Sequence, residues 1–418
     1  EHSWHLVIRS IAKQIQSAEN TMHVHPILKK TMLLVTPDMH SRRRRALTDA
    51  IDSLLNGASA TVTALGRGIA SPAKEKHRIK RADRLLSNRH LHAQTLTLYQ
   101  QLAKFTVGKA KRPILLVDWS DLDEHKGHFL LRATLVSHRR GLCLYEEVHD
   151  LSTKEKPKTH RQFLSRLAEV LGQQCQPIIV TDAGFKTPWF RAVLAMGWDF
   201  VGRARLPNFY SVDNEHWQCI TQLYKQATQR PKLLKGAIAR RNPLPCNLVI
   251  VKQKSTGRKV LNHAGCERQS KQHRVHRKSA NDPWLLATSL SHSAFLATKI
   301  TKIYRYRMQI EEGFRDMKSH RFGQGFEYNK TTHKERLSVL ILLTTITHWI
   351  LMVIGLAARQ TQHHRQYQAN SLKTDSVLSL PFIGFRVIAD KYAKLKIREF
   401  MKSVRALHLS SAYLFETL

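Results

Sequence analysis

The sequence predicts an α/β protein, and three observations predict it. Short apolar runs alternate with helical stripes between Pro113 and Arg205, the pattern of strands interleaved with helices. Helical periodicity dominates before that stretch and again after about residue 300. The chain has 418 residues, 42% hydrophobic and 24% charged, enough for two or three globular domains with a sizeable core.

Residues 1–21 precede the first methionine, Met22, and are read as an extension upstream of the natural start. Residues 22–107 read as a helical domain. "DMHSRRRRALTDAIDSLLNG" offers Asp38 as an N-cap, an apolar stripe from Ala46 to Leu55, and Gly57 as a stop. "TVTALGRGIAS" then predicts a short helix and a glycine turn. "PAKEKHRIKRADRLLSNRH" predicts a second helix crowded with Lys76, Arg78, Lys80, Arg81 and Arg84. Short helix, turn and basic helix is the layout of a helix-turn-helix, whose second helix enters the major groove of DNA. The Arg42–Arg45 run is read as a phosphate-contacting or solvated face.

Residues 108–206 read as the first part of an α/β core. "PILLVDWS" is a buried strand ending in Asp118, and "HFLLRATLVS" and "RGLCLYEEV" follow as strands. "HRQFLSRLAEVLGQQ" carries one apolar helical stripe. "PIIVTDAGF" is a buried strand ending at Asp182, "TPWFRAVLAMG" a helix from Pro188 to Gly197, and "WDFVGRAR" a fifth strand. Residues 207–299 interrupt this order as a β-rich insertion with a basic loop. Within it His263, Cys266, His273 and His276 mimic zinc ligands, but the short spacer and the crowded Arg and Lys favour a DNA-touching loop. Residues 300–360 complete the core, and residues 361–418 form a C-terminal helical region.

Charge narrows the function. Lys plus Arg number 68 against 31 acidic residues, a formal +37, and such a surface calls for a polyanion. Five cysteines scattered singly argue for a reducing compartment rather than a disulfide framework. The apolar run Leu337–Ala357 is long enough to span a bilayer, yet its three Thr, Ser338 and His348 mark it as a buried core helix, so no membrane partner is expected.

Placed on one helix at about 100° per residue, Ile303, Tyr306, Ile310, Phe314 and Met317 form a core stripe. Tyr304, Arg307, Glu311 and Lys318 cluster beside it, and Glu312 points to solvent. Asp118, Asp182 and Glu311 are then three carboxylates at two strand ends and a helix shoulder. Metal-assisted phosphoryl transfer needs hard oxygen ligands that hold two divalent cations about 3.5–4 Å apart, and these three could supply them. Asp121, Asp123 and Glu124 are rival ligands in a turn. An amphipathic helix with a salt-bridged shoulder, and strand-end aspartates acting as caps, is the plainer account of the same residues.

The spacing Tyr304-x2-Arg307-x3-Glu311-x6-Lys318 resembles the Tyr-Arg-Glu-Lys signature of bacterial DDE transposases of the insertion sequence 4 family. "LLVDWSD" and "IIVTDAGFKTPW" are similar to the segments bearing that family's first two catalytic aspartates. The likeness runs from about residue 30 to 410, nearly the whole chain, and residues 1–21 fall outside it. It looks strongest to the branch that includes the transposase of the tetracycline-resistance composite transposon.

The resemblance implies an RNase H-like catalytic core with Asp118, Asp182 and Glu311 as catalytic metal ligands for two Mg²⁺, with Mn²⁺ substituting. It implies cut-and-paste transposition: nicking, an end hairpin, its resolution, and strand transfer into target DNA. Tyr304, Arg307 and Lys318 would contact phosphates. Trp284 would stack on a flipped base, or else be a core residue at a strand start. Terminal inverted repeats and target DNA are the implied partners, with a homodimer in the synaptic complex. The implied location is the bacterial cytoplasm, at the nucleoid. Two other readings fit the same residues: an RNase H-like nuclease that cuts without joining, and a catalytically inactive DNA-binding repressor.

Overall fold

The computed structural model describes residues 21–22, 24–123, 127–137, 140–253, 282–321, 323–374, 377–393 and 395–418. The expected upstream extension, Glu124 and the His263–His276 tract with Cys266 lie outside the described residues.

A two-residue strand, Thr21–Met22, pairs with Leu395–Lys396, and five helices follow it: α1 (Val24–Val35), α2 (Ser41–Leu55), α3 (Val62–Gly68), α4 (Glu75–Leu86) and α5 (Arg89–Thr106). The N-cap of α2 is His40, whose ring nitrogen accepts from the Arg42 amide at 3.3 Å, rather than Asp38. The turn before it explains the difference. Arg44 donates to the carbonyls of Thr36, Pro37 and Met39 at 2.8–3.0 Å, so one arginine of the basic run closes that turn. Gly57 ends α2 as expected, with φ +93°. Thr61 caps α3 by accepting from the Ala64 amide. A Cβ on Gly66 would stand 2.3 Å from the Ile79 Cα, so only glycine lets α3 and α4 cross this closely.

The core is a ten-stranded sheet. Its strands are β1 (Ile114–Asp121), β2 (His128–Leu135), β3 (Leu142–Asp150), β4 (Ile178–Thr181), β5 (Asp199–Ala204), β6 (Phe209–Ser211), β7 (Gln218–Cys219), β8 (Lys232–Ile238), β9 (Leu244–Val251) and β10 (Trp284–Thr288). Their order is β3-β2-β1-β4-β5-β10-β9-β8-β6-β7. β1, β4 and β5 run parallel, and the remaining neighbours pair antiparallel. The strands of the 207–299 stretch extend the core sheet, because β10 pairs with β5 from Val201↔Thr288 to Ala204↔Leu285. Its three strands before β9 carry too few alternating apolar residues to be read from sequence.

Helices α6 (Pro157–Leu171), α7 (Thr187–Ala195) and α8 (Thr221–Lys225) intersperse with the strands. After the sheet come α9 (Leu296–Arg305), α10 (Met308–Lys318), α11 (Lys334–Gln360), α12 (Leu380–Ala389) and α13 (Ile397–Ala412). α11 is long and apolar enough to cross a membrane, but 89% of its apolar window is buried inside the fold. It is packed as a core helix. Glycines let α12 lie directly on it: a Cβ on Gly355 would stand 2.0 Å from the Leu380 carbonyl oxygen.

The single helix expected over 303–318 is two helices, α9 and α10. Tyr306, Arg307, Gln309 and Ile310 donate their amides three residues back, so the chain tightens there and loses helical phase. The shift turns Tyr304 into the core at 3% exposure and leaves Tyr306 half-buried, the reverse of the expected stripe.

Candidate active site

The last parallel rung between β1 and β4 joins Val117 to Thr181. The next residue on each chain is an aspartate. Asp182 directly follows β4, while Asp118 lies within β1, which runs on three residues past the end expected from sequence because Trp119–Asp121 still pair with β2. The two stand side by side where the β1–β4 pairing stops. Ligand sites of open α/β sheets form at such strand ends. Asp118 accepts from the Trp119 amide at 2.8 Å, and Asp182 from the Gly184 amide at 2.8 Å. Burial, and then the charge of Asp182, push the Asp118 carboxyl up to about 7. Asp123 instead accepts from the Gly127 and His128 amides, which ties it to its turn.

α10 brings the third carboxylate. Glu311 Oε1 lies 2.7 Å from Arg307 Nη1, and that nitrogen is 3.8 Å from Asp118 Oδ2. Burial opposes the Arg307 charge, but Tyr304, Glu311 and Asp118 together raise its pKa. Lys318, at the far end of α10, donates from Nζ to the Ser120 hydroxyl at 2.8 Å. Burial lowers its pKa, and nearby Asp121 opposes that shift.

Several contacts fix α10. Asp118 and Arg132 are opposite each other across β1 and β2 and share one face. The Arg132 guanidinium lies 4.9 Å from the Phe314 ring centroid and donates to Met317 Sδ at 3.1 Å. Its Nε donates to the buried Glu146 at 2.7 Å, and Glu146 also accepts from the Tyr99 and Thr345 hydroxyls. Glu312, expected in solvent, pairs with Arg140, which also lies 3.3 Å from Asp316. Arg140, two residues before β3, therefore braces α10 from outside the helix. Arg132, Arg140, Glu146 and Gln309, whose side chain bonds the Ser137 backbone, support the site but escaped sequence reasoning. No periodicity or motif marks them, because their partners are distant in the chain.

Tyr304 lies on the other flank. Its ring centroid is 4.9 Å from that of Trp284, nearly edge to face. Trp284 is half-buried at the start of β10. Arg203, on β5, donates to the Asp282 carbonyl at 3.2 Å and lies close enough for its charge to interact with Tyr304 and Arg307. The strand and the α9–α10 break thus bring Trp284, Tyr304, Arg203 and Arg307 near one another, with Tyr304 close enough to Asp182 for their charges to interact.

The donor types suit a hard divalent cation, and two adjacent carboxylates with one proton held to about 7 are a site that positive charge would relieve. The arrangement is incomplete, however. Among the described residues no three Asp, Glu, His or Cys side chains converge as an ion cage, because Glu311 is turned onto Arg307.

On α4, Lys76, Lys80 and Arg84 are exposed at four-residue intervals and make one basic stripe. Arg78 donates to the Arg67 and Ile69 carbonyls, closing the end of α3, and Arg81 pairs with Asp49 of α2. Those two cations are held inside the helical domain.

A family model of the transposase DDE domain matches residues 109–350, more than half of the chain. The chain belongs to the DDE transposase domain family. The matched stretch of this DDE domain begins after α5 and ends within α11, so it contains Asp118, Asp182, Glu311 and every strand of the sheet. The mixed sheet agrees with an RNase H-like transposase domain, and family membership supports a metal-dependent enzyme that cleaves nucleic acid. No curated protein matches the chain.

Proposed function

We propose that this DDE protein is a DNA transposase of the insertion sequence 4 family, with the Tyr-Arg-Glu-Lys signature, that moves its element by cut and paste. The observation that carries the reading is the pair Asp118 and Asp182 side by side where two parallel strands stop pairing, with Arg307 at the start of α10 and Glu311 and Lys318 along it beside them. Asp118, Asp182 and Glu311 are the residues that would hold Mg²⁺, or Mn²⁺ in its place. Bound there, it would activate an attacking water or 3′-hydroxyl and stabilise the leaving oxygen.

The chain's own groups do the rest. Arg307 and Lys318 neutralise phosphates next to the scissile bond, and Tyr304 sets the edge of the pocket. Trp284, stacked edge to face on Tyr304, receives an extruded base when an end hairpin forms. The exposed stripe of Lys76, Lys80 and Arg84 lies along the terminal inverted repeat, with two protomers pairing two ends.

The test is strand joining. The protein, Mg²⁺ and a duplex of the element's own end are incubated with a supercoiled target plasmid. Joined products establish a transposase. Cleaved ends without joining would identify a nuclease, and a bound, uncut duplex would identify a repressor.

A further inference from the structure

The same geometry raises a question of order, because a cation already stands among the acids. Arg307 Nη1 lies 2.7 Å from Glu311 and 3.8 Å from Asp118, and the three acids make no cage of their own among the described residues. We propose that Arg307 acts as an internal substitute cation that withholds Glu311 until a DNA phosphate draws the guanidinium away, so that DNA and the divalent cation bind cooperatively at this site. The inference rests on the transposase reading above.

Three observations support it. Arg307 sits on the break between α9 and α10, where the amides donate three residues back rather than four. Its backbone is therefore at a joint, not inside a rigid helical turn. Its surroundings are also polarised. Carboxylates contact it, while Arg203 is close enough to feel its charge, with Arg205 close to Arg203 in turn. A phosphate arriving among these arginines offers the guanidinium a charge-assisted, bidentate partner and relieves their mutual repulsion. Finally, moving one positive charge off the acids leaves Glu311 without its partner just when Asp118 and Asp182 lie adjacent. A divalent ion then finds three carboxylates instead of two. Free protein would be held inactive by the same contact, which protects DNA from cleavage away from the element's ends.

Linkage makes the idea measurable without catalysis. If DNA strengthens cation binding by some factor, the cation strengthens DNA binding by the same factor. Mn²⁺ binding is followed by electron paramagnetic resonance of the free ion, using the full chain with and without a duplex of the already cleaved end, which has no bond left to cut. The duplex should tighten Mn²⁺ binding to the wild type by about tenfold or more. Arg307→Gln should show that gain without DNA and gain little further from the duplex. Adding Glu311→Gln to Arg307→Gln should cancel it. Lys154→Gln removes the same charge from beside Asp121, three residues beyond Asp118, without touching Glu311, so its Mn²⁺ affinity should stay near wild type. Equal Mn²⁺ affinity in wild type with and without bound duplex overturns the proposal, and that comparison requires no variant. An equal gain in Lys154→Gln also overturns it, by reducing the effect to net charge. A duplex that fails to bind at all counts against the transposase reading instead, and the DNA-free comparison of wild type with Arg307→Gln still judges Arg307.

Discussion

The Gln309 side-chain amide grips the backbone of Ser137 at both ends, donating to its carbonyl at 2.7 Å and accepting from its amide at 3.1 Å. This contact ties the first turn of α10, two residues before Glu311, to the loop that follows β2. Gln309→Glu keeps the shape but loses the donor and faces a carboxylate toward a carbonyl oxygen. The variant should lose about 1–3 kcal/mol of stability by denaturant titration. End cleavage at saturating DNA should fall more than DNA affinity does, since the residue positions Glu311 without touching DNA. Unchanged cleavage would show that the clamp does not position the helix.

The Arg132–Glu146 pair is fully buried and shares its carboxylate with Tyr99 and Thr345. Glu146→Leu leaves the guanidinium charged in the core, which costs about 3–5 kcal/mol. The double variant Arg132→Met, Glu146→Leu should recover much of that loss, because it removes both charges. Chemical denaturation checks both values. A single variant that loses less than about 1 kcal/mol would contradict the network's role.

His160 supplies a pH dependence with a definite sign. Its Nε2 lies 3.3 Å from the Trp119 indole nitrogen, and burial, then His149, lowers its pKa from 6.5 to about 4. Between those values the unfolded chain holds a proton that the folded chain lacks, so stability falls as pH drops from 6.5 toward 4. His160→Gln removes this contribution. The wild type should therefore lose about 1–3 kcal/mol relative to the variant over that window. Parallel stability curves for the two proteins would refute the assignment.

Lys318 reaches Ser120, two residues beyond Asp118, and offers its remaining protons to a phosphate. Lys318→Met keeps the packed stem and deletes the charge. Affinity for the end duplex should weaken, and the slope of log K against log salt should shrink by about one. An unchanged slope would mean that Lys318 makes no phosphate contact.

Much of this was legible in the sequence, for physical reasons. Asp182 ends a continuous apolar run and does follow its strand, whereas Asp118 ends its apolar run but not its strand, which polar residues continue to Asp121 by pairing with β2. The long apolar segment read correctly as a buried helix because its Thr and His residues suit a protein interior better than lipid. What failed depended on tertiary geometry. The α9–α10 break has no proline or glycine to announce it, so a perfect helix placed Tyr306 in the core and Tyr304 beside it. Glu312 read as solvated because Arg140, its partner, belongs to a loop far back in the chain. Of the five basic residues on α4, Arg78 and Arg81 serve as internal braces, a distinction that charge alone does not make.

The most direct measurement is Mg²⁺-dependent cutting of the element's end by three separate variants, Asp118→Asn, Asp182→Asn and Glu311→Gln. The account predicts that each binds the duplex like the wild type and cuts about a thousandfold more slowly or not at all. Cleavage at near wild-type rates by any one of them would remove that carboxylate from the active site and contradict the account.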